Sequence, residues 1–162
     1  MEIKPILKKY YASVAEIYLQ GIATGHATFQ TDALDWVAWD KSHLPFCRLA
    51  IFEYGNMLGW AALSPVSSRR VYGGVAEVSI YVASSVRGKG IGKKLFTQLI
   101  QESEINGFWT LQSCIFLENI LSIKLHEELG FRTIGYREKI GNMNGIWRDN
   151  IIMERRSKIV GI

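Results

Sequence analysis

The chain contains little of what marks disordered, membrane-spanning or disulfide-stabilised proteins. Only three of its 162 residues are proline and no run of eighteen apolar residues occurs, so neither a long disordered linker nor a membrane span is expected. The two cysteines, Cys47 and Cys114, stand far apart, and no cysteine or histidine spacing resembles a zinc site, so no metal is expected. Lysines near the N-terminus lack an apolar stretch behind them, which argues against a secretory signal and predicts a cytoplasmic protein with reduced thiols.

The remaining composition is typical of one globular domain, residues 1–162. Hydrophobic residues make up 48% and charged residues 21% of the chain, close to the average for globular proteins. A length of 162 residues also fits a single domain. The formal net charge of +4 suits an anionic ligand but is too small to indicate a nucleic-acid partner by itself.

Helical and extended hydrophobic patterns alternate along the chain, which predicts a mixed α+β fold. Expected strands cover residues 48–53, 57–63, 75–83 and 109–117, with further strands around a loop at Gly141–Gly145. Expected helices cover residues 11–20, a segment capped at Thr31 or Asp32, a segment from Ile91 to about Asn106, and residues 120–129. The clearest strand is 75–83, in which small and apolar residues alternate with Glu77, Ser79 and Tyr81.

Apolar spacing also predicts which side chains of the helices face the core. In the second helix these are Leu34 and Val37, with Trp36 as a further candidate, and in the last helix they are Leu121, Leu125 and Leu129.

The most informative segment is the strand, turn and helix over residues 75–105. Three glycines, at positions 88, 90 and 92, stand where the helix begins, and glycine allows a backbone to approach a ligand closely. The free amides and the dipole of a helix start favour a phosphate. Four cations add positive charge: Arg87, Lys89, Lys93 and Lys94. The segment therefore predicts a pyrophosphate site, although its spacing fits neither the P-loop nor the dinucleotide fingerprint; the alternative is a plain glycine-rich connection.

Residues 87–92, Arg-Gly-Lys-Gly-Ile-Gly, match the acetyl-CoA motif R/Q-x-x-G-x-G/A. On this motif the chain resembles the GNAT family of N-acetyltransferases. The segments 76–82 and 119–131 look like the phosphinothricin acetyltransferase branch of that family. Weaker matches to the same branch are Thr28-Phe29, Ser64-Pro65 with Arg69 and Tyr72, and Gly145-x-Trp147-x-Asp149.

The resemblance implies a strongly bent mixed sheet, split at its middle, with helices on both faces and acetyl-CoA in the split. The diphosphate would rest on the amides of residues 88–93, and the pantetheine would pair with the backbone of residues 81–83. The resemblance assigns these residues to the cofactor: Tyr81, Val82, Ala83, Arg87, Gly88, Lys89, Gly90, Ile91, Gly92, Lys93, Asn119 and Ser122. Homodimers are common in this branch, so a homodimer is expected.

Acetyl transfer to an amine requires a base, because an ammonium group has no lone pair with which to attack. Glu77 is the candidate base, about four residues and ~13 Å from the cofactor end at ~3.3 Å per residue, so a relay through water is expected. The branch also places its catalytic glutamate here; the alternative is a surface carboxylate. His126, which the branch shares, is the second catalytic candidate, either as acid or as base, with a structural imidazole as its alternative. The amide of Val82 is expected to meet the oxyanion.

Neither cysteine is flanked by a histidine or a cation cluster, so buried thiols and direct attack in a ternary complex are expected. His26 and His43 have no candidate catalytic partners in the sequence and are expected to be structural.

The resemblance assigns recognition of a small anionic amino acid to Phe29, Arg69, Tyr72 and Tyr81, with Arg69 able to pair with a carboxylate or a phosphinate. Ser67 stands where relatives that act on phosphinothricin place a second cation, so another amino acid or amine is left open. Two other functions stay open. One is a non-catalytic acyl-CoA sensor, and the other is acetylation of a protein N-terminus or an antibiotic amine. No nucleic-acid or membrane partner is expected.

Overall fold

A computed structural model describes all residues, 1–162. Its strands are β1 (Glu2–Pro5), β2 (Arg48–Glu53), β3 (Asn56–Pro65), β4 (Val75–Val82), β5 (Thr110–Phe116), β6 (Arg132–Met143) and β7 (Ile146–Arg156). Its helices are α1 (Tyr11–Ile22), α2 (Trp36–Ser42), α3 (Ile91–Ile105) and α4 (Ile120–Glu128). No helix has the length and apolarity that crossing a membrane requires.

The seven strands form one mixed sheet in the order β1-β2-β3-β4-β5-β7-β6. All neighbouring pairs are antiparallel except β4 and β5, which are parallel. This parallel pairing joins only residues 75–77 to residues 110–112, although β4 continues to Val82 and β5 to Phe116. The two strands therefore separate after Glu77, and the sheet opens into a cleft there, as the resemblance implies.

The helices cover both faces of the sheet and bury two apolar clusters. The larger cluster lies under α3 and includes Leu95, Leu99 and Met153, each fully buried. The smaller cluster lies under α1 and α2 around Trp60, whose indole Nε1 donates to the Val14 carbonyl at 3.1 Å. The alternation predicted for β4 is confirmed, because its even-numbered residues pack against the larger cluster and Tyr81 packs against the smaller one.

The second helix begins later than the sequence predicts. Asp35 is its N-cap and accepts from the Ala38 amide at 2.8 Å. The predicted core residues Leu34 and Val37 are 46% and 72% exposed, and Trp39 is buried instead. The physical reason is area, since an indole removes more apolar surface from water than a leucine or a valine.

Two further expectations about local structure are only partly right. In α4 and at its C-terminal end, Leu125 and Leu129 pack against the larger cluster as predicted, but Leu121 is 77% exposed, and the fully buried residue of the helix is His126. The loop expected at residues 141–145 is only the turn Asn144-Gly145, because β6 extends to Met143 and β7 starts at Ile146. Ladder hydrogen bonds between the two long strands stabilise extended backbone up to the turn.

Candidate active site

The glycine-rich turn has the backbone that its composition predicts. Gly88 and Gly90 have φ angles of 76° and 77°, in the left-handed region, and Gly90 is the N-cap of α3. No atom lies within 4 Å of the position that a Cβ would take at either residue, so the φ angle and not crowding requires glycine. At Gly92 a Cβ would meet Leu125 at 3.4 Å, an ordinary contact.

The backbone amides of residues 88–93 donate to no group of the protein. The Lys94 amide is the first in α3 with an acceptor, the Gly90 carbonyl at 3.1 Å. The side chains of Arg87, Lys89 and Lys93 beside these amides are exposed. Free amides, the positive end of a fifteen-residue helix and exposed cations together favour an anion.

The open edge of β4 presents alternate residues to the cleft. The Ala83 amide donates to the Leu58 carbonyl at 2.9 Å, and its carbonyl accepts from Val86 at 3.1 Å. Consecutive residues of an antiparallel strand turn their backbone groups toward opposite edges, and every second residue faces the same edge, so Tyr81 also turns its backbone toward β3, opposite Trp60. Val82 instead turns its amide toward the cleft, and its carbonyl accepts from Arg87 Nε at 3.2 Å. Of the residues 81–83 that are predicted to pair with pantetheine, Val82 is the one whose backbone faces the open edge.

The side chain of Tyr81 forms a wall on the Glu77 face of the sheet. Its ring stacks on Trp60 at 5.0 Å between centroids and meets the edge of Tyr18 at 4.9 Å. A Cβ at Gly21 would stand 2.7 Å from the ring, so glycine there makes room for it. Burial, with a smaller effect of Tyr18, raises the pKa of Tyr81, and the hydroxyl stays protonated at neutral pH.

Glu77 lies at the apex of the cleft. It is the last residue of β4 that pairs with β5, and its partner Gln112 donates from Nε2 to Glu77 Oε2 at 3.4 Å. Its side chain is half-buried. Cys114 follows Gln112 on the same face of β5, with Arg137 Nη1 3.6 Å from its sulfur. Glu77 is thus a partly accessible carboxylate where the two strands separate.

His126 lies in the core and not in the cleft. It is 2% exposed, and the Phe96 and Phe131 rings each lie 4.9 Å from its own. Its Nδ1 is 2.7 Å from the Ser122 carbonyl and its Nε2 is 2.9 Å from the Ser113 hydroxyl. Burial lowers its pKa below the usual 6.5. Because both ring nitrogens have protein partners, the geometry favours the structural alternative for this residue.

The structure does not bring the two catalytic candidates together. Gln112 and Ser113 are consecutive on β5, and consecutive side chains of a strand point to opposite faces. Glu77 bonds to Gln112 and His126 to Ser113, so the carboxylate and the imidazole lie on opposite faces of the sheet.

The expectation of buried thiols is confirmed for Cys47, whereas Cys114 is only partly buried. Cys47 is buried, and burial raises its pKa to about 12. Burial also raises the pKa of Cys114, with a further increase from Glu77. A thiol with a raised pKa is a weak nucleophile at neutral pH, which argues against an acetyl-cysteine intermediate.

Asn119 and Ser122 lie at the start of α4, where β5 has ended. Asn119 caps the helix by accepting from the Ser122 amide at 3.3 Å, and its Nδ2 donates to the His26 carbonyl at 3.3 Å. The Ser122 hydroxyl is 3.5 Å from His126 Nδ1. Both predicted cofactor residues therefore have structural partners within the chain.

Apart from Tyr81, which packs on Trp60 and Tyr18, the predicted acceptor residues form two separate groups. Phe29 packs edge-on against Phe116 at 4.6 Å, on the face of β5 that also carries Gln112. Arg69 lies 5.4 Å from the centre of the Tyr72 ring, and both side chains are exposed. No hydrogen bond, ion pair or aromatic pair joins Phe29 to the second group.

Two residues near the open end of the sheet were missed by sequence reasoning. Arg148 bonds to the segment between α1 and α2, and Asn150 on β7 is 6% exposed with an unpartnered Oδ1. Neither belongs to a local pattern, since their neighbours are distant in sequence. The only available signal was a polar residue within an apolar strand run, at Asn150 before Ile151 and Ile152.

Residues 11–131 match the Acetyltransferase (GNAT) family, and the chain therefore belongs to this family. It is 29% identical over 153 residues to the phosphinothricin N-acetyltransferase of Streptomyces viridochromogenes, covering 92% of this chain and 84% of that protein. It is 29% identical over 148 residues to the L-methionine sulfoximine/L-methionine sulfone acetyltransferase of Salmonella typhimurium, covering 88% of this chain and 86% of that protein. A crystal structure of a phosphinothricin acetyltransferase from Sinorhizobium meliloti in complex with acetyl-CoA superposes with a TM-score of 0.88 at 26% identity, covering 99% and 90%.

These comparisons confirm the predicted family and the predicted mixed fold. The chain is an N-acetyltransferase of the acetyl-CoA-dependent GNAT type.

Proposed function

We propose that the chain acetylates the amine of a small amino-acid-like acceptor by direct attack on acetyl-CoA in a ternary complex. The observation that supports this most strongly is the position of Glu77 at the apex of the cleft between β4 and β5. The acceptor class follows from relatives named for phosphinothricin and methionine sulfoximine.

The cleft has the groups that acetyl-CoA requires. The amides of residues 88–93 have no acceptor within the chain and fit a diphosphate, helped by Arg87 and Lys89. The edge of β4 beyond Glu77 has no strand partner and fits an extended pantetheine arm. The Val82 amide, which turns toward this edge, is the proposed donor to the thioester oxygen as negative charge develops there.

Glu77 is proposed as the general base. An acceptor arrives as an ammonium ion, and the carboxylate accepts one proton from it, through a water molecule if the two are not in contact. Glu77 passes that proton to solvent. The neutral nitrogen attacks the thioester carbon and the C–N bond forms. The nitrogen then gives up its second proton to Glu77 or to water, and the C–S bond breaks as the tetrahedral intermediate collapses. The CoA thiolate leaves and takes a proton from solvent, since His126 is enclosed.

Arg69 is proposed to bind the anionic end of the acceptor. It is exposed beside Tyr72, and an arginine next to an aromatic ring can pair with a carboxylate through two parallel hydrogen bonds. Phe29, which lies over the Glu77 face at Phe116, is proposed to contact the apolar part of the acceptor. Ser67 accepts from the Arg69 amide at 3.1 Å and brings no second cation to this group.

A thiol-release assay with phosphinothricin, methionine sulfoximine, common amino acids and polyamines tests the activity. For Glu77→Gln we expect kcat to fall about 10²–10⁴-fold, the usual contribution of a positioned base, while calorimetry shows an unchanged Kd for acetyl-CoA. Glu154→Gln is the matched control, because Glu154 also pairs with Gln112, from β7, but forms an ion pair with Arg132 at 2.7 Å. Full turnover by Glu77→Gln would rule out this carboxylate as the base.

We further propose that two copies associate through the β6–β7 hairpin. β6 is an edge strand of the sheet, and the hairpin exposes Ile134, Tyr136, Ile140, Ile146 and Trp147, at 44% to 65% each. An exposed apolar edge of this length favours association.

A further inference from the structure

Arg148 joins the segment between α1 and α2 to the open end of the sheet. Its Nη1 donates to the Gly25 carbonyl at 3.0 Å, and its Nη2 lies 3.1 Å from His26 Nδ1. Nη2 also donates to the Glu118 carboxylate at 3.2 Å, and the guanidinium carbon lies 4.4 Å from the centre of the Phe116 ring. The Arg148 side chain is only 12% exposed, so these partners hold it in one orientation.

The segment that Arg148 contacts also carries Phe29. Residues 23–35 form turns and bends without a helix or strand, so few backbone hydrogen bonds fix them. Phe29 packs on Phe116, the same ring that Arg148 covers. Three further polar contacts reach the segment. Asn119 donates to the His26 carbonyl at 3.3 Å, the hydroxyls of Tyr18 and Thr28 lie 3.4 Å apart, and the Tyr11 hydroxyl donates to the Leu34 carbonyl.

We propose that Arg148 is a positioning residue for the acceptor site, an inference that rests on the proposed function. By binding Gly25 and His26 it fixes the segment, and with it Phe29, over the face of the sheet that carries Glu77. Without this contact the segment gains conformational freedom, and the acceptor must order it on binding. The acceptor then binds more weakly, whereas the chemistry of the bound complex is unchanged.

The contacts explain why an arginine suits this position. The planar guanidinium donates in several directions at once, and here it reaches two residues of the segment and Glu118 while its face rests on Phe116. A lysine keeps the charge but has one nitrogen, which cannot occupy both Nη positions. Arg148→Lys therefore separates the effect of charge from the effect of shape.

Arg155 on the same strand offers a matched control. It is a partly buried arginine, 23% exposed, whose Nη1 donates to Glu104 at 2.9 Å and whose Nε donates to the Leu129 carbonyl at 3.2 Å. Its contacts are of the same chemical kind as those of Arg148, but they join β7 to α3 and to the end of α4. Removing the Arg155 side chain is expected to destabilise the fold without changing any contact to residues 23–35.

The proposal is tested by steady-state kinetics, with the acceptor on which the wild type is most active. For Arg148→Met we expect the acceptor KM to rise about tenfold, because charge-assisted hydrogen bonds to the segment are lost. The kcat and the Kd for acetyl-CoA are expected to stay unchanged. The acceptor KM of Arg148→Lys is expected to lie between that of the wild type and that of Arg148→Met. Arg155→Met is expected to leave the acceptor KM unchanged even where it lowers the melting temperature.

Limited digestion with chymotrypsin gives a readout that needs no acceptor. Mass spectrometry is expected to show faster cleavage after Phe29 in Arg148→Met than in the wild type or in Arg155→Met. If the wild type acetylates no amine, the proposed function fails, while this experiment still tests whether Arg148 holds the segment. An unchanged acceptor KM, an unchanged cleavage rate, or equal effects of the two methionine variants overturns the proposal.

Discussion

At the scale of single residues, Glu77 and His126 show how one strand separates two titratable groups. Their partners on β5, Gln112 and Ser113, are consecutive and face opposite ways. Glu77 is left half-buried at the cleft, where a proton can be exchanged with an acceptor or with water. His126 is enclosed by aromatic rings, so we expect it to affect stability more than turnover.

The burial of His126 predicts acid sensitivity of folding. Burial lowers its pKa, and that of His43, below the usual 6.5. Below pH 6.5 the unfolded chain therefore binds protons that the folded chain does not, and the stability present at higher pH is lost as pH falls. We expect the melting temperature to fall from pH 7.5 to pH 5.5, and to fall less steeply in His126→Gln, as measured by thermal denaturation at each pH.

His43 continues to titrate in that variant, so a reduced slope and not a flat line is expected. An identical slope in the wild type and in His126→Gln would show that the imidazole at position 126 does not resist protonation in the folded state.

At the scale of elements, the turn between β4 and α3 combines a backbone requirement with a binding requirement. Gly90 has a left-handed φ angle and caps the helix whose amides are free. Gly55, in the turn between β2 and β3, has a similar φ of 81° and equally open surroundings. The two glycines therefore share the same strain on substitution but differ in their distance from the proposed cofactor site.

We expect Gly90→Ala and Gly55→Ala each to lower the free energy of unfolding by about 1–2 kcal/mol, the cost of a left-handed conformation for a residue with a Cβ. Only Gly90→Ala is expected to weaken acetyl-CoA binding, by about tenfold, because its strain is relieved by moving the amides of the helix start. Denaturant titration and calorimetry measure the two effects. Equal acetyl-CoA affinity in both variants would contradict a role for this turn in binding the diphosphate.

At the scale of the whole molecule, the proposed dimer makes a prediction about mass. The monomer is 18.4 kDa, and light scattering on a sizing column is expected to give about twice that value for the wild type. Trp147→Glu, at a position 59% exposed on the hairpin, is expected to shift the protein to the monomer because a charge is costly at an apolar interface. Val37→Glu is the control, since Val37 is 72% exposed but lies on α2. A monomeric wild type contradicts the proposed dimer.

The patterns that the sequence predicts correctly are those set by neighbours along the chain. The alternation in β4 follows from the two faces of a strand, and the spacing of Ile91, Leu95 and Leu99 follows from the helical repeat; all three residues of α3 are buried. The glycines at 88 and 90 are required by local φ angles. The motif around them was sufficient to identify the family before any contact was known.

Only the tertiary structure decided that His126 is the fully buried residue of α4, where α2 begins and which distant residues meet. Leu121 and His126 both lie on a helix that the sequence predicts, but the shape of the core selected the imidazole. Arg148 and the segment at Gly25 and His26 are more than a hundred residues apart, so no local pattern links them. Periodicity and backbone geometry are determined by neighbouring residues and can be predicted from the sequence, whereas burial and side-chain partners depend on how the elements pack.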